Sequence, residues 1–289
     1  MIDKINTIYI YSKGRPECPT AKLLNRIDYT GEWYICCQED DETLPEYIES
    51  FGQDKIITYN YNEILKKYTD IMDYYAFEPY GASPARNATI LIAHKRGEKR
   101  FWFADDDIGI FKKPTKHSNS STDVIKTGER LEKELYKLAE LGYKCNIEKI
   151  SGISEIGYFP PPISEIRFFI LNFFNCKTNI NLLYHGRVHD DAITSYLTYH
   201  SSNSFEIEFG TFRKAKDIKY NETAFNDNVK GGNKELYEKI DKFFIYSYYF
   251  LVNPFFELKI KNGEIKKRDN FKIFCPKIIS DRWKDGSKK

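Results

Sequence analysis

Three aspartates in a row, Asp105, Asp106 and Asp107, interrupt the otherwise aromatic and apolar stretch "RFWFADDDIGIF" (100–111). Neighbouring carboxylates repel, and burial raises the cost of each charge. A positive group is therefore expected to meet them. Alternate residues of a strand face the same way, so Asp105 and Asp107 form a D-x-D pair able to converge on one cation. Hard oxygen ligands of this kind select Mg²⁺ or Mn²⁺. Such an ion can bridge the two phosphates of a nucleotide-sugar and take up charge on the leaving diphosphate.

Three other groups of residues have matching chemistry. "SKGRP" (12–16) follows an apparent strand, and Ser12, Lys13 and Arg15 lie where a nucleotide would sit. An arginine there suits a diphosphate or the face of a base. "ARN" (85–87) opens a helix, and Arg86 at a helix N-terminus is suited to an anion. Asn87 has a second reading, in which it bonds a nearby backbone and shapes a loop. "HGRVHDDAI" (185–193) carries another acidic pair. A reaction that deprotonates a hydroxyl needs a carboxylate beside the acceptor, and either Asp190 or Asp191 can serve. Helix capping is the alternative role for an aspartate at this place. His185, His189 and His200 are assigned no catalytic role.

These residues need a frame. "TIYIYS" (7–12), "EWYICCQ" (32–38), "DKIITYN" (54–60) and "KRFWFADDD" (99–107) read as strands. "PTAKLLNRI" (19–27), "LPEYIESF" (44–51) and "SPARNATILIAHKRG" (83–97) read as helices between them, with Thr20 and Ser83 as N-cap candidates. A β-α-β-α-β-α-β order predicts an α/β fold with a mostly parallel central sheet and helices on its faces. In such sheets the ligand crevice lies at the carboxyl ends of the strands. Both "SKGRP" and the aspartates fall there.

Farther along, "KKPTKHSNSSTD" (112–123) is polar and reads as a loop, and 124–143 as an amphipathic helix ending at Gly142. Residues 151–164 read as a loop over the site. Strands are expected at 165–175 and 204–214, and helices at 189–202 and 226–244. The predicted division is a main domain over 1–244 and a C-terminal extension over 245–289.

Composition bounds the function. Of 289 residues, 41% are hydrophobic and 30% charged, which excludes a disordered chain. The net charge is only +2, but residues 259–289 hold 11 Lys or Arg against 4 Asp or Glu. A basic tail of this kind can meet a nucleic-acid backbone. The six cysteines lack C-x-x-C spacing and read as reduced thiols, not as a zinc site. The run at 243–256 is too short to cross a bilayer, and no signal peptide is visible, so a cytoplasmic location is expected.

Taken in order, the strand followed by "SKGRP", then "ARN", "FADDD" and "HDD" resemble the nucleotide-sugar glycosyltransferases of the GT-A fold over residues 7 to about 210. With the late "GG" (231–232), they are similar to the branch that holds the base-J glucosyltransferase and its phage relatives. That resemblance implies a GT-A, Rossmann-like sheet with a small C-terminal extension. It implies that Asp105 and Asp107 contact the nucleotide ribose and a metal, with Ser12, Lys13, Arg15, Arg86, Asn87 and Asp106 around the nucleotide. Asp191 would be the base, with Asp190 replacing a glutamate common in relatives. The expected reaction moves a sugar from a UDP-linked donor to a hydroxymethylated pyrimidine in DNA, with Mn²⁺ or Mg²⁺, in the cytoplasm of a phage host. A glycan or protein acceptor is one alternative, and a non-catalytic nucleic-acid-binding module is another. A nucleotidyltransferase fits less well, since "SKGRP" is a poor phosphate-binding glycine loop.

Overall fold

The computed structural model describes residues 6–68, 82–115, 118–144, 149–155, 173–178, 180, 183–184, 206–207, 211–214, 260–261 and 264–265. Its first half alternates strand and helix. The elements are β1 (Ile8–Tyr11), α1 (Pro19–Arg26), β2 (Trp33–Gln38), α2 (Leu44–Phe51), β3 (Ile56–Tyr59), α3 (Tyr61–Tyr68), α4 (Ala82–Lys95) and β4 (Arg100–Asp105). After these come β5 (Ile108–Thr115), β6 (Ser118–Val124), α5 (Gly128–Lys144), β7 (Lys149–Glu155), β8 (Phe173–Lys177), β9 (Glu206–Ile207) and β10 (Thr211–Lys214). A separate two-stranded pair, β11 (Ile260–Lys261) and β12 (Glu264–Ile265), lies in the C-terminal stretch.

The main sheet runs β3-β2-β1-β4-β8-β7-β10-β5-β6, with β9 on β7. Its first four strands are parallel. The chain moves outward from β1 to β3 and then returns to lay β4 on the other side of β1. The β1/β4 junction is therefore the point where strand order reverses, which is where open α/β sheets hold ligands. From β8 onward antiparallel pairing enters. The expected mostly parallel α/β sheet with helices on both faces is the fold that the chain adopts.

Strand periodicity explains the two cores. Ile8, Ile10, Ile35, Cys37, Trp102 and Ala104 point to one face, where they meet Leu23 and Leu24 of α1, Tyr47 of α2 and Leu131 and Leu135 of α5. Tyr9, Cys36, Phe101 and Phe103 point to the other face, against Ile64 of α3 and Ala88, Ile90 and Ala93 of α4. Covered on both sides, these strands read as unbroken apolar runs, not as alternation. Phe103 stacks on Phe174 at 4.9 Å, and Trp102 on Phe173 at 5.1 Å, which fastens β4 to antiparallel β8. Four cysteines in this region, Cys18, Cys36, Cys37 and Cys176, are buried free thiols. Burial pushes the Cys36 thiol up to about 12.

Several expectations are corrected. Residues 112–123, expected as a loop, build most of the β5–β6 pair. A polar edge hairpin is held by backbone pairing and leaves no hydrophobic alternation to read. Pro114 sits where the register shifts between Lys113 and Thr115, a position that tolerates the missing N–H. Helix α5 starts at Gly128, not at 124, and runs through Gly142. Residues 151–155 of the expected site loop belong to β7. Helix α3 had no counterpart in the sequence reading. Thr20 is not an N-cap, because α1 begins one residue earlier, at Pro19. The helices expected at 189–202 and 226–244, and the 244/245 division, lie outside the described residues.

Helix α5 is tied to the α1–β2 connection by an N–H to C=O bond from Gly128 to Ile27. A Cβ at 128 would collide with the Asp28 carbonyl oxygen and lie 2.6 Å from the Tyr29 Cα. Backbone cannot yield as a side chain can. Gly128→Ala is therefore expected to lower stability by about 2 kcal/mol, read as a fall in the urea midpoint with an unchanged m-value.

Candidate functional site

Parallel pairing sets the site. Tyr11 lies opposite Asp105 in the β1–β4 ladder, so the residues that follow β1 and β4 emerge side by side. The two strand ends carry the 12–16 loop and the three aspartates.

Strand β4 ends at Asp105, and Asp106 and Asp107 form a turn into β5. The strand alternation that would align Asp105 with Asp107 stops at the first of them. The turn is held from α1 instead. The Thr20 hydroxyl donates to the Asp105 carbonyl at 2.6 Å and accepts from the Ile108 N–H at 2.9 Å. The Thr20 N–H reaches the Asp106 carbonyl at 3.1 Å. One buried threonine thus fixes the backbone on both sides of the acidic turn.

The positive charge that the aspartates require is present. Arg15 Nη1 lies 2.8 Å from Asp106 Oδ1, and the Ser12 hydroxyl donates to Asp106 Oδ2 at 2.6 Å. Both oxygens of Asp106 are engaged inside the protein, and the residue is 7% exposed. Burial pushes its carboxyl up to about 6, and the neighbouring Asp107 adds to this, while Arg15 and Ser12 pull it down. In the structure, Arg15 and Ser12, read from sequence as nucleotide contacts, both bond Asp106.

Asp105 is half-buried and accepts a hydrogen bond from the Tyr11 hydroxyl. Burial holds that phenol protonated, so it remains a donor. Behind it, Arg86 Nη2 donates to the Tyr11 oxygen at 3.4 Å. The guanidinium lies between the rings of Tyr11 (5.7 Å) and Tyr184 (5.1 Å). Sequence reading missed Tyr11, because an aromatic residue in a buried strand looks like core. Asp107 is 6% exposed.

Helix α4 shows why "ARN" stands out. Its first turns bury Ser83, Arg86 and Asn87, whereas farther along it buries Ile90 and Ala93. The polar end faces the carboxyl edge of the sheet. Asn87 takes the second of its two expected roles: it donates to the backbone carbonyls of Tyr68 (2.9 Å) and Tyr184 (3.0 Å) and accepts the Tyr184 N–H at 2.6 Å. It is 0% exposed. Asn87→Ala leaves those three backbone groups without their partner and is expected to cost about 3 kcal/mol in a denaturant titration. Lys13 is exposed at the rim, its ammonium 5.8 Å from the Tyr61 ring centroid. Asp190 and Asp191 lie outside the described residues.

A divalent ion can be tested against this donor set. Among the described residues, no three His, Cys, Asp or Glu side chains are arranged to hold a metal. Mg²⁺ and Mn²⁺ do not need three: one or two carboxylates suffice, with substrate phosphates and water completing the shell. Asp105 at the end of β4 and Asp107 in the turn after it are hard oxygen donors of the kind that requirement names. No helix among the described residues is long and apolar enough to cross a membrane.

A search of curated protein sequences finds no match to this chain. Among solved structures, it is similar to a protein of Desulfovibrio desulfuricans described as a nucleotide-diphospho-sugar transferase, with 9% identity, a TM-score of 0.41 and coverage of 82% of this chain and 100% of that one. It is also similar to the 4-diphosphocytidyl-2C-methyl-D-erythritol synthase of Anaerococcus prevotii, with 8% identity, a TM-score of 0.39 and coverage of 86% and 96%. Residues 6–217 match the family described as TET-associated glycosyltransferase, and that span is well over half of the 289 residues; the chain belongs to this glycosyltransferase family.

Proposed function

We propose that this glycosyltransferase moves a sugar from a UDP-linked donor to the hydroxyl of a hydroxymethylated pyrimidine in DNA. The observation that carries the reading is the meeting of the "SKGRP" loop and the three aspartates at the β1/β4 reversal point of a glycosyltransferase-family chain.

In this reading the 12–16 loop receives the nucleotide, with Lys13 at the rim available to the diphosphate. Asp105, oriented by Tyr11, would meet the ribose, and Asp105 and Asp107 are the residues that would hold a divalent ion. Mn²⁺ or Mg²⁺ bound there supplies positive charge against the departing diphosphate. Arg15 and Asp106 neutralise each other, so the negative charge left to face that ion belongs to Asp105 and Asp107. Asp191, or Asp190 beside it, takes the proton from the acceptor hydroxyl. The basic C-terminal stretch adds sequence-independent attraction to the DNA backbone.

The test combines the protein and Mn²⁺ with a panel of nucleotide-sugars and DNA carrying hydroxymethylated pyrimidines. The DNA is then digested, and its nucleosides are weighed. A nucleoside heavier by one sugar residue is expected. No mass gain with any donor removes the DNA acceptor, and transfer to a glycan or protein under the same conditions would replace it.

A further inference from the structure

Tyr47 belongs to none of the motifs that mark the site, yet its hydroxyl lies at the centre of the donor loop. It comes from α2, on the face of the sheet that holds α1, and it is 0% exposed. Its oxygen accepts the Arg15 backbone N–H at 2.9 Å and lies 2.6 Å from Ser12 Oγ. Hydrogen-bond accounting fixes the direction of the second contact. A serine hydroxyl has one proton, and that of Ser12 goes to the Asp106 carboxylate. Tyr47 must therefore donate to Ser12. The result is a directed chain, Tyr47 O–H to Ser12 Oγ and Ser12 O–H to Asp106 Oδ2, with Asp106 closing onto Arg15 through its other oxygen.

The chain grips the loop at Ser12 and at Arg15. Gly14 at its apex adopts a φ of 62°, open to glycine at little cost. The Gly14 N–H is tied to Asp41 Oδ2 at 2.8 Å, and Asp41 is itself held by the Thr43 N–H at 2.9 Å. The β1–α1 loop is thus strapped by two links, to α2 through Tyr47 within and to the β2–α2 connection through Asp41 at the rim.

We infer that Tyr47 is a positioning residue for the nucleotide donor, holding the 12–15 loop in its binding shape before the donor arrives. The inference rests on the donor reading proposed above. Preorganisation of this kind lowers the ordering cost of binding and leaves the chemical step alone. Its removal should raise the donor Kd and KM while kcat holds.

The test measures UDP binding with Mn²⁺ by calorimetry, together with transfer kinetics and thermal melts. Tyr47→Phe keeps the ring and loses the hydroxyl, and it should weaken UDP roughly tenfold, with kcat within about twofold of wild type. Asp41→Ala, at a half-buried position, should weaken UDP in the same direction and serves if Tyr47→Phe fails to fold. Tyr29→Phe removes a buried hydroxyl that has no hydrogen-bond partner among the described residues, and should leave UDP affinity unchanged. Wild-type affinity for UDP in both the Tyr47 and Asp41 variants overturns the inference, whatever their melting points. A wild-type protein that binds no UDP overturns the donor reading itself, and the inference with it.

Discussion

Asp107→Ala is expected to abolish sugar transfer while the fold survives. The two halves of this expectation have separate causes. Loss of activity follows from the assignment of Asp107 to the divalent ion at the diphosphate. Removing one preorganised charge at such a point costs about 10³-fold or more in rate. Survival follows from electrostatics within the turn. Asp107 repels the Asp106 carboxylate and attracts the Arg15 guanidinium, so its removal relieves one strain and gives up one attraction, and the two offset. The backbone of the turn stays gripped by Thr20. A melting point close to that of wild type, with transfer lost, is the expected pair of results. An active Asp107→Ala enzyme would sink the metal assignment.

The second large effect belongs to Arg15. Deleting one partner of a buried ion pair strands the other charge. Arg15 and Asp106 side chains are only 14% and 10% exposed, so Arg15→Ala is expected to cost about 3 kcal/mol near pH 8. The cost should shrink on acidification. Asp106 titrates at about 6 in the folded protein, against an ordinary value of 3.8. A carboxyl raised on folding binds its proton more tightly in the folded state, so the stability it lends is full below 3.8 and is lost as pH rises through about 6. Near pH 5 the carboxyl is largely neutral in wild type, and Arg15 has little charge to balance. Without Arg15 the carboxyl moves higher still, and the loss extends to more alkaline pH. Denaturant titrations of the metal-free protein across this range check both the size and the slope. Adding Asp106→Asn to Arg15→Ala should restore most of the loss, because the stranded charge is then gone.

How much of this was legible in the sequence depends on how the signal is carried. Strands β1 to β4 and helices α1, α2 and α4 announce themselves through apolar runs and spacing, although the N-cap candidates Thr20 and Ser83 both lie inside their helices, and strand order then sends "SKGRP" and the aspartates to one edge. Repulsion among the aspartates also demanded a cation, and Arg15 is that cation. Its pairing with Asp106 could not be read, because sequence spacing does not say which anion an arginine will meet. Tyr11 and Tyr47 stayed hidden for a related reason: in a chain with 22 tyrosines, a buried ring reads as core, and only coordinates show where its hydroxyl points. The β5–β6 hairpin was missed because backbone pairing, not side-chain pattern, makes it. Helix α3 was missed because, of its eight residues, only Ile64 is buried.

The central claim is that the acidic turn after β4 is the donor site and works through a divalent ion. Calorimetric titration of UDP into wild type and Asp107→Ala, each with and without Mn²⁺, tests it most directly. The account predicts binding that strengthens with Mn²⁺ in the wild type and loses that Mn²⁺ dependence in the variant. Equal affinities in all four titrations would contradict it.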